Sequence, residues 1–206
     1  MFNLETISIP ISITTINDYD EEAFPYGLLK AVVFPINFTT TRYRAMFPSK
    51  SSVKYISIPK GMKNIYIDTY PSQLRKLTMY SNEPSSGTKP GVKLYDAPSV
   101  THFVVMGTYT EIVADTVRNS QVHKLFIPDT VTKINATAYA YNSLLEEVHL
   151  YPSTPPTLAN VSAFSGIPAT AVVYVPYSSD HSILTAYQTA TNWSTYAGQM
   201  QEEPQS

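Results

Sequence analysis

The chain repeats itself. The tetrapeptide Ile7-Ser8-Ile9-Pro10 returns as Ile56-Ser57-Ile58-Pro59, and Leu125-Phe126-Ile127-Pro128 is a near copy. Each sits in a short block with apolar residues at positions 1, 4 and 6, as in Val53-x-x-Ile56-x-Ile58. The blocks begin at residues 4, 29, 53, 74, 100, 122, 145 and 170, at intervals of 25, 24, 21, 26, 22, 23 and 25. The last departs only at its first position, where Thr170 stands. A period near 24 that tiles 206 residues leaves few folds open. One such unit cannot bury its own apolar face, so neighbouring units must stack into a solenoid. Two stretches compete for the fifth place, the block at 100–105 and "VKLYDAP" at 92–98.

Alternation along a strand puts positions 4 and 6 on one face, and position 1 turns into the same core from the preceding bend. Proline follows position 6 in five of the eight blocks, at Pro10, Pro35, Pro59, Pro128 and Pro176. It has no N–H for a central ladder and marks the strand's exit, so strands of roughly three to five residues are expected. A second apolar pair follows several blocks: Ile13 and Ile16, Met62 and Ile65, Val131 and Ile134. These pairs should face inward from a return side of turns and short helical pieces.

The phrase "VHKLFIPDTVTKINATAYAYNSLLEEVHL" resembles the BspA-type leucine-rich repeat, and "LETISIPISITTINDYDEEAF" matches the same pattern at the start. The resemblance covers 4–24, 53–80 and 122–200, and is poor over 81–121. It implies a right-handed leucine-rich-repeat solenoid of about eight short coils. A parallel sheet would line its concave face. Proteins of this kind are mostly surface binding proteins of gut bacteria and protists, and similar arrays occur in bacteriophage virion and tail proteins.

The expected organisation is a solenoid over 1–177, a C-terminal helical cap over 178–200 and a polar tail over 201–206. Ser178-Ser179-Asp180 can N-cap a helix from about His181 to Ala190, with Ile183, Leu184 and Tyr187 on one face. The lone Trp193 reads as a packing residue of that cap. "SNEPSSGTKPGVK" at 81–93 reads as a looped insertion. The first block has no cap before it, and an open end of stacked strands invites docking onto a protein partner or a second copy.

Several functions are excluded. There is no cysteine, hence no thiol nucleophile, thiolate metal site or disulfide framework. A net charge of −2 gives no global attraction for nucleic acid. No apolar run reaches the roughly 18 residues of a membrane span, and the start, "MFNLETISIPISI", does not read as a secretory signal. With that reading, the four N-x-[ST] sequons, at Asn37, Asn135, Asn160 and Asn192, are chance occurrences. Gly-rich phosphate loops, H-E-x-x-H and G-x-S-x-G are missing, so neither catalysis nor a cofactor is expected.

Function is expected on positions 2, 3 and 5, which point away from the core. Five of the chain's 14 Lys and Arg and three of its four His fall on these 24 positions, enough to make the middle of the face basic. The candidate binding residues are Lys54, Tyr55, Arg75, Lys76, His102, His123, Lys124, Phe126 and Tyr174. The cations would bond a polar or anionic partner, an acidic protein face or a charged glycan, and the rings would supply contact area. His102, His123 and His149 occupy positions 3, 2 and 5, out of line for a metal. Glu146 and Glu147 are adjacent on an open sheet, without the cleft a glycosidase needs. The expected setting is a bacteriophage virion or tail, assembled in the host cytoplasm, where the array serves assembly or host recognition. A gut-bacterial adhesin or glycan-binding module at the cell surface is the alternative.

Overall fold

The computed structural model describes residues 6–8, 12, 31–33, 53–58, 75–79, 94–95, 102–105 and 109–205. Its strands are β1 (Thr6–Ser8), β2 (Ala31–Val33), β3 (Tyr55–Ile58), β4 (Lys76–Met79), β5 (Leu94–Tyr95), β6 (His102–Val105) and β7 (Glu111–Ile112). Then follow β8 (Val117–Arg118), β9 (Lys124–Ile127), β10 (Lys133–Ile134), β11 (Glu147–Leu150), β12 (Thr157–Leu158), β13 (Val172–Val175) and β14 (Met200–Glu202). One helix, α1 (Ser182–Thr189), and 3-10 turns at Val161–Phe164 and Trp193–Gln199 complete the described elements.

Nine strands form one sheet in the order β1-β2-β3-β4-β6-β9-β11-β13-β14. Every pairing in it is parallel. Like positions of successive blocks are register partners: Ile56, Leu77, Phe103, Leu125, Val148 and Val173 follow one another, all at position 4. The fifth place belongs to β6, while β5, the competing stretch, pairs with β8 in a separate two-stranded sheet. A third sheet, β12-β10-β7, runs along the return side. This is a β-rich repeat fold with little helix.

Burial follows the block pattern. Leu125, Val148, Ile127, Leu150 and Val175 are fully buried, and so are Val53 and Val122 at position 1. Each such aliphatic side chain contributes about 1.5–3 kcal/mol of transfer free energy. The return-side pair Val131 and Ile134 is buried in the same core, as its spacing predicts. The pairs Ile13/Ile16 and Met62/Ile65 and the insertion at 81–93 lie outside the described residues, as does most of the first block.

The last block departs from the pattern. Thr170 at position 1 is exposed, and Ala171, expected to face outward, is buried. A threonine hydroxyl gains nothing from the apolar bend, so the adjacent methyl takes the inward place. The polar tail at 201–206 also needs correction. Its first two residues belong to β14, with Met200 and Gln201 in register with Val173 and Tyr174. Met200 fills the apolar position 4, 6% exposed, and so anchors a strand whose remaining residues are polar.

Residues 182–199 lie across the end of the return side. In the repeats, the carbonyls of Thr110, Ile112, Thr132 and Ile134 accept hydrogen bonds from backbone N–H groups one unit on. Pro156 and Leu158 are the register equivalents of Thr132 and Ile134. There the donors are side chains: Trp193 Nε1–H to Pro156 O at 2.7 Å and Asn192 Nδ2–H to Leu158 O at 2.7 Å. Tyr187 Oη donates to Pro152 O at 2.8 Å and Tyr196 Oη to Val161 O at 2.6 Å. Buried carbonyls need partners, and this segment supplies them after the last return strand. Helix α1 begins one residue later than expected. His181 precedes it with φ 56°, and the capping acceptors are Asp180 Oδ1 for Ser182 N–H and Ser178 Oγ for Ile183 N–H. The hydrogen bond from Ser182 holds the Asp180 carboxyl below the usual carboxylate range.

Candidate binding surface

The register converts the blocks into rows across the outward face of the long sheet. The position-3 row reads Thr6, Ala31, Tyr55, Lys76, His102, Lys124, Glu147 and Val172. The position-5 row reads Ser8, Val33, Ser57, Thr78, Val104, Phe126, His149, Tyr174 and Gln201. Strands of a sheet are about 4.8 Å apart, so row neighbours stand side by side.

In the β9–β14 half, the candidates are engaged with one another. Lys124 Nζ lies 2.7 Å from Glu147 Oε2, and His123 Nδ1 lies 3.0 Å from Glu146 Oε1. The hydrogen bond between Lys124 and Glu147 raises the lysine and lowers the carboxyl relative to their ordinary values, and His149 lowers the carboxyl further. Phe126, His149 and Tyr174 form a stack, with centroids 4.8 and 4.9 Å apart and rings 8° and 19° from parallel. His149 presents Nε2 to Glu147 Oε2 at 2.9 Å and Nδ1 to Glu203 Oε1 at 2.6 Å. Glu203 reaches it across β13, which lies between β11 and β14. Phe126 and Tyr174 each give one face to His149, whose own two faces are both covered.

In the β3–β4 half, Lys54, Tyr55, Arg75 and Lys76 are all exposed, Tyr55 at 53%. The backbone draws them together: Lys54 O accepts from both Arg75 N–H and Lys76 N–H, at 2.9 and 3.1 Å. Tyr55 is the register partner of Lys76, and His102 follows Lys76 on β6. Thr78, expected outward, is buried.

Sequence reasoning passed over His149, Glu147 and Glu203 as site residues, although the first is the hub of the stack. Three ring-bearing residues at position 5 of consecutive blocks were the available signal for His149. Glu203 carried none, because it follows β14, a strand with no block pattern.

Among the described residues no cluster of acidic and histidine side chains has the arrangement to hold a metal ion, and no helix is long and apolar enough to cross a membrane. The family model described as BspA type leucine rich repeat region matches in 6 copies, over residues 1–115 and 84–183. The chain belongs to the BspA type leucine-rich repeat family. The matched ranges include 81–121, where the resemblance to the repeat pattern is poor and where β6 forms. BspA-type repeats are binding arrays, and the chain is accordingly a protein-binding or surface repeat protein. No curated protein matches it.

Proposed function

We propose that this BspA-type protein is a non-enzymatic binding protein that takes a protein partner on the outward, concave face of its sheet. In this reading the repeats form a right-handed solenoid of about eight coils. Residues 178–199 cap it, and side chains end the return-side ladder. The observation that carries the reading is the exposed group Lys54, Tyr55, Arg75 and Lys76, gathered on adjacent strands of a face that runs unbroken through the register. Tyr and Arg are the residue types that dominate protein interfaces.

The setting proposed is a virion or tail of a bacteriophage, where the array serves assembly or host recognition. A surface adhesin of a gut bacterium is the second reading, favoured by family membership. Finding the protein in purified particles supports the first, and finding it in the cell-surface fraction supports the second.

A photo-reactive phenylalanine derivative tests the face. Placed at Tyr55 it should form adducts with another protein in the particle or cell that carries the chain. Placed at Thr157, exposed on β12 of the return side, it should form none. Adducts from position 157 alone would refute the outward-face reading.

A further inference from the structure

His149 makes more hydrogen-bond contacts than a neutral ring can satisfy. Its Nε2 lies 2.9 Å from Glu147 Oε2 on its own strand, and its Nδ1 lies 2.6 Å from Glu203 Oε1. Carboxylate oxygens accept, and a neutral imidazole carries only one N–H. Both contacts are hydrogen bonds when both ring nitrogens carry a proton. The carboxyls do not hold that second proton, because the ring is the stronger base of an imidazole–carboxyl pair. Glu147 is in addition held below the ordinary carboxylate range, first by Lys124 and then by His149. The ring lies between Phe126 and Tyr174, with centroids 4.8 and 4.9 Å away. Both are inside the roughly 6 Å over which a ring face attracts a cation. The groups facing His149 are thus Glu147 on β11, Phe126 on β9 with Lys124 bonded to Glu147, Tyr174 on β13, and Glu203 past β14. Tyr151 stands near enough to Glu203 to feel its charge.

The bond to Glu203 spans β13 and reaches the end of the sheet, where β14 pairs with β13 alone among the described strands. Beyond its ladder, β14 is held by Met200 in the core and by two glutamates. Glu203 is bonded to His149; Glu202 takes Ser178 N–H at 3.2 Å and meets His181 Nδ1 at 2.7 Å. The two histidine ties differ in weight. The His181 side chain is 66% exposed, so solvent screens its pair. Those of His149 and Glu203 are 15% and 25% exposed. We infer that His149 is a proton-operated latch on the C-terminal strand: with both ring protons it holds the end of β14 onto the sheet, and without the second that end detaches from β13. The sign follows from the bond. The tie needs the doubly protonated ring, so it is present at lower pH and is lost as pH rises. Detachment bares Val175 O, which accepts from Glu203 N–H at 2.8 Å, together with the backbone edge on which an added strand would pair. The latch concerns the end of the sheet and stands independently of the outward-face reading.

The test is amide exchange by NMR in the full chain, corrected for the intrinsic rate at each pH, with ring nitrogen shifts reporting the protons on His149. The amide to follow is Glu203 N–H. The control is Ala159 N–H, bonded to Ile134 O at 2.9 Å on the return side. Between about pH 5.5 and about pH 8.5 an ordinary histidine loses its charge. Over that span the protection of Glu203 N–H should fall at least about three-fold, in step with the second ring N–H, while Ala159 N–H holds steady. His149→Gln, uncharged throughout, should show the lower protection at both ends of the range. Glu203→Gln leaves the histidine in place and should show the same at its own amide, so the outcome does not hang on one variant. His181→Gln should leave the response intact. Constant protection of Glu203 N–H in the wild type overturns the inference. So does a ring with a single N–H already at about pH 5.5, a pH response that persists in His149→Gln, or one that vanishes in His181→Gln. A fall shared equally by Ala159 N–H reports opening of the whole fold and overturns it too.

Discussion

Tyr139 and Tyr187 undergo the same chemical change, Tyr→Phe, and should respond with opposite sign. Both side chains are fully buried. Tyr139 stacks on Phe164 at 5.2 Å, but its hydroxyl has no hydrogen-bond partner among the described residues. Tyr187 packs edge-on against Trp193 at 5.5 Å, and its hydroxyl donates to Pro152 O at 2.8 Å. Burial pushes both phenols well above the usual tyrosine range, so both are neutral hydroxyls at any working pH. An unsatisfied buried hydroxyl carries a desolvation cost of about 1–3 kcal/mol. Tyr139→Phe removes that cost, keeps the ring contact, and should stabilise the protein by about 1–2 kcal/mol. Tyr187→Phe loses a hydrogen bond and strands a carbonyl, and should destabilise by about the same amount. The assay is equilibrium urea unfolding followed by the single tryptophan, Trp193, which is 1% exposed and adjoins both regions through Phe164 and Tyr187. The m-value should hold while the midpoint moves up for one variant and down for the other. If both midpoints fall together, the hydroxyl of Tyr139 is satisfied after all and the reasoning from burial is wrong.

Three further outcomes are expected. Asn142 is buried, accepts from Ser120 N–H, and donates to Val117 O and Tyr139 O, so Asn142→Ala should cost about 2–4 kcal/mol in urea unfolding. Gly166 has φ 75°, and a Cβ there would lie 2.9 Å from Tyr141 Cδ1, so Gly166→Ala should lower stability by about 1–2 kcal/mol. The Lys124–Glu147 pair should contribute evenly through neutral pH. Glu147, lowered by its partners, loses its share as pH falls through its folded value, below the ordinary carboxylate range; Lys124, raised, loses its share as pH rises above the ordinary lysine range. Unfolding curves of wild type and Glu147→Gln should therefore converge at acid pH, and parallel curves down to pH 2 would contradict this.

Period and register were legible because they rest on side-chain chemistry alone. Apolar residues at positions 4 and 6, with proline after them, place a strand and its inward face whatever surrounds it. The same spacing located β3, β6, β9, β11 and β13. The left-handed backbone positions were not legible. Asp115 and Thr137 share one place in successive repeats, 22 residues apart. Asn119, Tyr141 and Gly166 share another, at intervals of 22 and 25. Glycine or asparagine announces such a turn, but tyrosine and β-branched threonine do not. Here stacking imposes the conformation: Tyr141 N–H bonds Ser165 O, and Thr137 Oγ1 bonds Asp115 Oδ1 across one repeat.

By itself the sequence determined that the chain is a stack of repeats, which face of each strand is inward, and which cations stand outward. Those facts follow from alternation and period, which are local. Only the tertiary structure decided what stands beside each outward residue. The sequence does not show which partners Lys124, His123, Phe126 and Tyr174 take until the strands are set side by side. Their neighbours then proved to be Glu147, Glu146 and His149, drawn from the next repeat some 23 residues away. Glu203 came from just past β14, a strand with no repeat signature at all. Charge and ring pairing act between strands, over a few ångströms, and that proximity exists only once the repeats have stacked.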